Sequence, residues 1–272
     1  MATALEQTLV ITDLDGTLLP ASKQLDPADI AAVRHFMALG GKFTIATGRT
    51  LEATQCYLEQ LQPNVPAILY NGAMLYDCEA KRPIETHPLP AGILDTLRAL
   101  MAWNPDMGVE ILTADAIYVV RNNDYETNHI ALCGVQPVYA ALEDVPTDGW
   151  LKILFAMSPT DVDRLAAYTD TRQDAGVTYV RSADIFLEIL PEGASKGEAL
   201  LHYRNRLIGS GGRVIAAGDY HNDLTMLQAA DLGVTPANAQ QIVKDAAALV
   251  LPQTCEEHAI AALLQAILAQ KI

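Results

Sequence analysis

Apolar positions in the first third of this chain fall alternately into short unbroken runs and helically spaced stripes. Thr8–Thr12 (TLVIT) is a β-branched apolar run that ends in Asp13, as a strand buried on both faces would, with its carboxyl end presenting the acids that follow. Residues 29–39 (DIAAVRHFMAL) carry apolar side chains at helical spacing and stop at Gly40-Gly41, and residues 42–47 (KFTIAT) read as a second strand. Strand, helix, strand predicts a parallel pair. A helix over 51–61 then leads into residues 67–76 (AILYNGAMLY), a third strand running into an Asn71-Gly72 turn.

From about Ile84 the rhythm changes. A helix-like stretch at 91–103 is followed by strands around 109–114, 116–121 and 150–157, a helix near 161–172, and paired strands at 177–182 and 185–190. After Pro191 the first rhythm returns: a helix from Ser195, a strand at 213–218, a helix at 223–230, a short strand at 232–235, a helix at 238–247, a strand at 249–251 and a last helix at 256–268. The pattern predicts an α/β protein. Its core, residues 1–83 and 187–272, is a doubly wound, Rossmann-like parallel sheet, and residues 84–186 are an inserted α+β domain.

Composition narrows the functional classes. Half of the 272 residues are apolar and 19% are charged, which suits a packed globular protein large enough for two lobes. A net charge of -15, from 33 acids against 18 Lys plus Arg, argues against a nucleic-acid partner. Cys56, Cys78, Cys133 and Cys255 lie far apart without metal-finger spacing, so reduced thiols are expected instead of a disulfide framework or a zinc site. The opening MATALEQ has no positively charged leader segment, and no apolar stretch approaches the roughly 18 residues of a membrane span; no membrane partner and a cytoplasmic location are expected.

Four polar clusters follow predicted strands or open helices. Asp13 and Asp15, in Asp13-Leu14-Asp15-Gly16-Thr17, place two carboxylates near one point at a strand end; a divalent cation would relieve their repulsion, while a plain Asp-Gly turn is the alternative. Thr47-Gly48-Arg49 offers a hydroxyl and a glycine N–H that can hold phosphoryl oxygens, or is an ordinary strand-to-helix loop. Lys196 falls in the first turn of a helix opened by Ser195, where the dipole disfavours a cation unless an anion lies close; a solvated lysine is the alternative. Gly218-Asp219-Tyr220-His221-Asn222-Asp223 brings two more acids and an amide to a strand end, or caps a helix. Taken together, four such clusters on one sheet edge are better explained by one site than by four unrelated turns. Gly209-Ser210-Gly211-Gly212 precedes its strand and so reads as a turn, not a dinucleotide loop. His35, His202 and His258 read as ordinary helical histidines; His221, nearer the site, contacts substrate or has no role.

The ordered set D-L-D-G-T-L-L at 13–19, T-G-R at 47–49, S-K-G at 195–197 and G-D-x-x-N-D at 218–223 resembles the haloacid dehalogenase superfamily. The inserted lobe resembles the type IIB cap of its Cof-type sugar-phosphate phosphatases, and Tyr70-Asn71-Gly72-Ala73 and Pro236-Ala237-Asn238-Ala239 are similar as well. The resemblance implies a phosphatase acting on small phosphorylated metabolites through an aspartyl phosphate. Asp13 would be the nucleophile and Asp15 the general acid and base. It assigns Mg²⁺ to the Asp13 side chain, the Asp15 carbonyl and Asp219, with Asp223 supporting through water, and the phosphoryl oxygens to Thr47, Gly48, Lys196 and Asn222. The expected partner is a small phosphomonoester, and the protein is expected to be a monomer or small homo-oligomer. A phosphomutase, or a non-catalytic phosphometabolite-binding protein, is the alternative. Tyr220-His221 stands where the family often carries a small residue, so substrate preference does not carry over.

Overall fold

The computed structural model describes residues 5–272, so the first four residues of the stretch read for a leader lie outside the described residues. In chain order the elements are β1 (Thr8–Thr12), α1 (Pro27–Ala38), β2 (Lys42–Ile45), α2 (Leu51–Leu61), β3 (Ala67–Leu69), β4 (Met74–Asp77) and β5 (Arg82–Thr86). There follow α3 (Ile93–Trp103), β6 (Gly108–Leu112), β7 (Ile117–Arg121), α4 (Asp124–Cys133), β8 (Val138–Tyr139), β9 (Lys152–Ala156), α5 (Pro159–Thr169), β10 (Val177–Ala183) and β11 (Phe186–Pro191). The chain ends with α6 (Lys196–Leu207), β12 (Arg213–Ala217), α7 (Leu224–Ala229), β13 (Leu232–Thr235), α8 (Gln241–Ala246), β14 (Leu249–Val250) and α9 (Ala259–Leu268). They group into two compact units, one of residues 1–48, 54–85 and 195–272, the other of residues 49–53 and 86–194.

The first unit is built on a five-stranded sheet in the order β14-β13-β12-β1-β2, with every pair parallel. β1 lies between β12 and β2 and all five of its residues are buried, which is why TLVIT is an unbroken apolar run instead of an alternating one. Leu9 and Ile11 pack with Val214, Ala216, Leu200 and Leu207, holding α6 on the sheet. Helix starts follow capping chemistry: Asp26 accepts from the Ala28 N–H ahead of Pro27, and Ser195 accepts from the Glu198 N–H.

One expectation is met and one element is shortened. The turn expected at Asn71-Gly72 is a 3₁₀ turn, Tyr70–Gly72, after which β4 runs back antiparallel to β3. The three turn residues all have positive φ, 51°, 54° and 107°, which no strand can hold. The helix expected over 256–268 begins at Ala259, because His258 is left-handed at φ 60° and its ring Nδ1 meets Asp29 of α1 at 3.0 Å.

The second unit is a six-stranded sheet, β10-β11-β9-β6-β7-β8, antiparallel except for the β7–β8 pair. One face packs Val109, Ile111, Ile153, Phe155, Leu187 and Ile189 against α3 and α5. α4 lies on the other face, where the side chain of Glu126 sits over Gly108. That helix was not expected from the sequence, since its apolar positions form no continuous stripe. Its caps were the legible signal: Asn123 accepts from the Glu126 N–H, and Gly134 ends the helix at φ 66°. Among the described residues no helix is long and apolar enough to cross a membrane.

Candidate active site

The carboxyl ends of the central strands supply the polar groups, as open parallel sheets dictate. Asp13 leaves β1 with its N–H bonded to the Ala217 carbonyl at 2.8 Å, so the exits of β1 and β12 are tied together. Lys196, on the first turn of α6 and 1% exposed, reaches both: its Nζ donates to Asp13 Oδ1 at 2.5 Å and to Asp223 Oδ1 at 2.7 Å. Asp223 Oδ2 in turn accepts from the backbone N–H groups of Asp219 and Tyr220 at 2.9 and 3.1 Å.

Asp219 is held by the Thr17 hydroxyl, which donates to its Oδ1 at 2.7 Å. Gly16 makes that approach possible. It turns at φ 81°, and a Cβ there would lie 2.4 Å from Asp219 Oδ2, so the glycine after the paired aspartates is required by the acid that follows β12, the neighbour of β1 in the sheet. Asn238 closes the loop from outside, donating to the Gly16 carbonyl at 2.7 Å.

One carboxylate oxygen from each of Asp13, Asp219 and Asp223 lies within 4.8 Å of the others. Burial raises the Asp13 carboxyl well above the usual range; Lys196 pulls it down, and Asp223, Asp219 and Asp15 push it up again. Asp219 is pushed up to about 7 by burial first and then by Asp223. For Lys196 burial works against the ammonium, but Asp13 and Asp223 outweigh it and the net shift is upward. Buried oxygens that crowd until two acids resist ionising are what a hard divalent cation neutralises, so the donor set fits Mg²⁺.

Asp15 points elsewhere. Its Oδ1 accepts from Lys23 Nζ at 2.7 Å, and Lys23 is itself fixed by the Tyr57 hydroxyl, which donates to its carbonyl at 2.8 Å. Thr47 is buried at the exit of β2, with its N–H bonded to Ile68 and its carbonyl to the Asn71 N–H. Gly48 follows, and Asn222 donates through Nδ2 to Asn71 Oδ1 at 3.0 Å. Asp13, Lys196, Asp219 and Asp223 are thus brought into direct contact or near it, while Thr47, Gly48 and Asn222 gather around Asn71. Arg49 donates to the Ala53 carbonyl, and His221 is exposed. Sequence reasoning missed Thr17, Lys23 and the tie from Asn238; Thr17 and Asn238 stood inside quoted motifs, whereas nothing in the pattern around Lys23 marks it.

A family model for haloacid dehalogenase-like hydrolases matches residues 10–264. Pyridoxal phosphate phosphatase YbhA of Escherichia coli is 28% identical over 256 residues, covering 89% of this chain and 92% of that one. The HMP-PP phosphatase of Yersinia pseudotuberculosis is 26% identical over 255 residues, covering 93% and 92%. A haloacid dehalogenase-like hydrolase from B. subtilis superposes with a TM-score of 0.81 at 26% identity, over 94% of this chain and 98% of that one. The chain belongs to the haloacid dehalogenase-like hydrolase family, and it stands with the family's Cof-type phosphoric monoester hydrolases.

Proposed function

We propose that the protein is a Mg²⁺-dependent phosphatase that hydrolyses a small phosphorylated metabolite through an aspartyl phosphate on Asp13. The observation that carries this reading is the buried constellation of Asp13, Lys196, Asp219 and Asp223, with Asp13 Oδ1 2.5 Å from the lysine and a carboxylate oxygen of each acid within 4.8 Å of the others. Asp13 attacks phosphorus, and the bond to the leaving oxygen breaks as Asp15 protonates it; Asp15 then takes a proton from the water that releases phosphate. Lys196, Thr47, Gly48 and Asn222 hold the phosphoryl oxygens. Asp13, the Asp15 carbonyl, Asp219 and Asp223 hold Mg²⁺, which when bound neutralises phosphoryl charge and helps orient the transferring group.

In this reading the first unit is the catalytic core and the second a cap that selects the phosphoester; β11, expected with the core from residue 187, pairs instead with β10 and β9 of the second unit, which runs to residue 194. The relatives named for pyridoxal phosphate and HMP-PP point to phosphorylated vitamin-type compounds as first candidates, beside sugar phosphates. The test is phosphate release across such a panel, with Mg²⁺ and with EDTA. Metal-dependent release is expected from the wild type, with a loss of about 10³-fold or more in Asp13→Asn. A wild type that releases phosphate from none of them, or an Asp13→Asn variant that keeps its rate, refutes the proposal.

A further inference from the structure

The turn Tyr70–Gly72 is a run of positive φ angles beside the proposed phosphoryl site. Three consecutive residues are left-handed, and two of them carry side chains that disfavour it. Asn71, at φ 54°, is a polar residue only 1% exposed. Such strain persists only where the surroundings enforce it, and here three loops do. The Asn71 N–H donates to the Thr47 carbonyl at 3.0 Å. Its Oδ1 accepts from Asn222 Nδ2 at 3.0 Å. Its carboxamide lies flat over Gly48, so that a Cβ on Gly48 would meet Nδ2, Oδ1 and Cγ of Asn71 at 2.9, 3.0 and 3.1 Å. The neighbouring Gly72 faces the carbonyl of Ser195, 2.4 Å from where its Cβ would stand, which sets the turn against the first turn of α6.

We infer that Asn71 is a positioning residue for phosphoryl recognition. Its side chain fixes the Asn222 amide through one of that amide's two N–H bonds and packs over the Gly48 backbone, so that both face the phosphoryl site in one arrangement. The inference rests on the phosphatase reading for what is bound. A hydrogen bond between two side-chain amides is weak in water, but in a buried site it removes the rotational freedom of Asn222 before the anion arrives. The effect should fall on ground-state and transition-state binding alike, and therefore on KM more than on kcat.

Asn71→Gly separates the side chain from the backbone, because glycine holds φ 54° without strain while the carboxamide is lost. With p-nitrophenyl phosphate and Mg²⁺, a KM about tenfold higher is expected with kcat within about threefold, the size of one lost bond to an anion-binding group. The Kd for inorganic phosphate, read by calorimetry, should rise by the same factor. In the double variant Asn71→Gly/Asn222→Ala the loss should fall clearly short of the two single losses combined, since Asn71 acts in part through Asn222. Additive losses, or an Asn71→Gly variant with unchanged KM and Kd, overturn the inference; a lower melting temperature with kinetics intact does so too, showing a turn that matters only for folding. A wild type that binds phosphate but releases none from p-nitrophenyl phosphate or from the metabolite panel refutes the phosphatase reading alone and leaves Asn71 to be judged by the ratio of Kd values. A wild type that binds no phosphate in Mg²⁺ overturns both.

Discussion

A lysine ammonium buried to 1% exposure is tolerated only with its charge matched, and Lys196 meets Asp13 and Asp223 at 2.5 and 2.7 Å. In sequence, its place in the first helical turn broke the dipole rule and called for a nearby anion. The structure supplies two carboxylates, Asp13 from the distant exit of β1 and Asp223 from the turn after β12, the next strand along the chain. Removing the cation leaves the two aspartates buried without it, at a cost of about 3–5 kcal/mol when they remain ionised. The sign with pH follows from the acids. Asp13 and Asp219 already have raised folded-state values, and losing Lys196 raises them further, so the folded protein keeps protons that the unfolded chain releases. Stability of Lys196→Met should therefore be near wild type below the ordinary carboxylate range and fall progressively as pH rises past neutrality. Metal-free melting curves at pH 5 and pH 8 check this; an equal deficit at both would mean that lost packing, not charge, sets the cost.

At the scale of elements, α4 carries a second buried acid problem. Both carboxylate oxygens of Glu126 and the Oε2 of Glu110 on β6 are buried with no hydrogen-bond partner, and His129 Nε2 stands 3.9 Å from the latter. Burial first, and then Glu110, push the Glu126 carboxyl up to about 11, so it stays protonated where the unfolded chain ionises. Stability contributed by this group is present below the unfolded value of 4.5 and is lost as pH rises toward 11. Glu126→Gln mimics the neutral acid and cannot ionise, so it should raise the melting temperature at pH 9 and change it little at pH 5. A destabilised variant at pH 9 would show that Glu126 is ionised and needed. The helix bearing this residue escaped sequence reading because its apolar side chains do not form a stripe, while β1, β2 and β12 were legible because strands buried on both faces leave unbroken apolar runs. The site acids were legible for a related reason, since each stands at such a strand's end. What was not legible was loop packing: Thr17 on Asp219 and the Asn71 turn depend on residues brought together by the sheet order, and Lys23 on Asp15 depends on how the loop after β1 folds back on itself, which no local pattern encodes.

Across the whole molecule the charge works against the proposed substrate. The chain carries -15, and the site itself sets four carboxylates, Asp13, Asp15, Asp219 and Asp223, against the ammonium groups of Lys23 and Lys196. Fully ionised, that leaves two negative charges where a phosphate dianion must sit, and the neighbouring acids add to the burial that raises Asp13 and Asp219. A divalent cation cancels it, and two consequences can be measured without any substrate. Binding stabilises only the folded state, by about 2.7 kcal/mol at a hundred times Kd, so Mg²⁺ should raise the melting temperature by roughly 5–10 °C and EDTA should reverse it. Because the cation displaces protons held by the raised carboxyls, calorimetric titration at pH 6 should also show proton release, seen as a heat that depends on the buffer's ionisation enthalpy, and the release should shrink at pH 8, above the value of about 7 for Asp219. Asp219→Asn should lose both the thermal shift and the buffer dependence. A thermal shift that survives in that variant would place the cation elsewhere and remove the charge argument for this cluster.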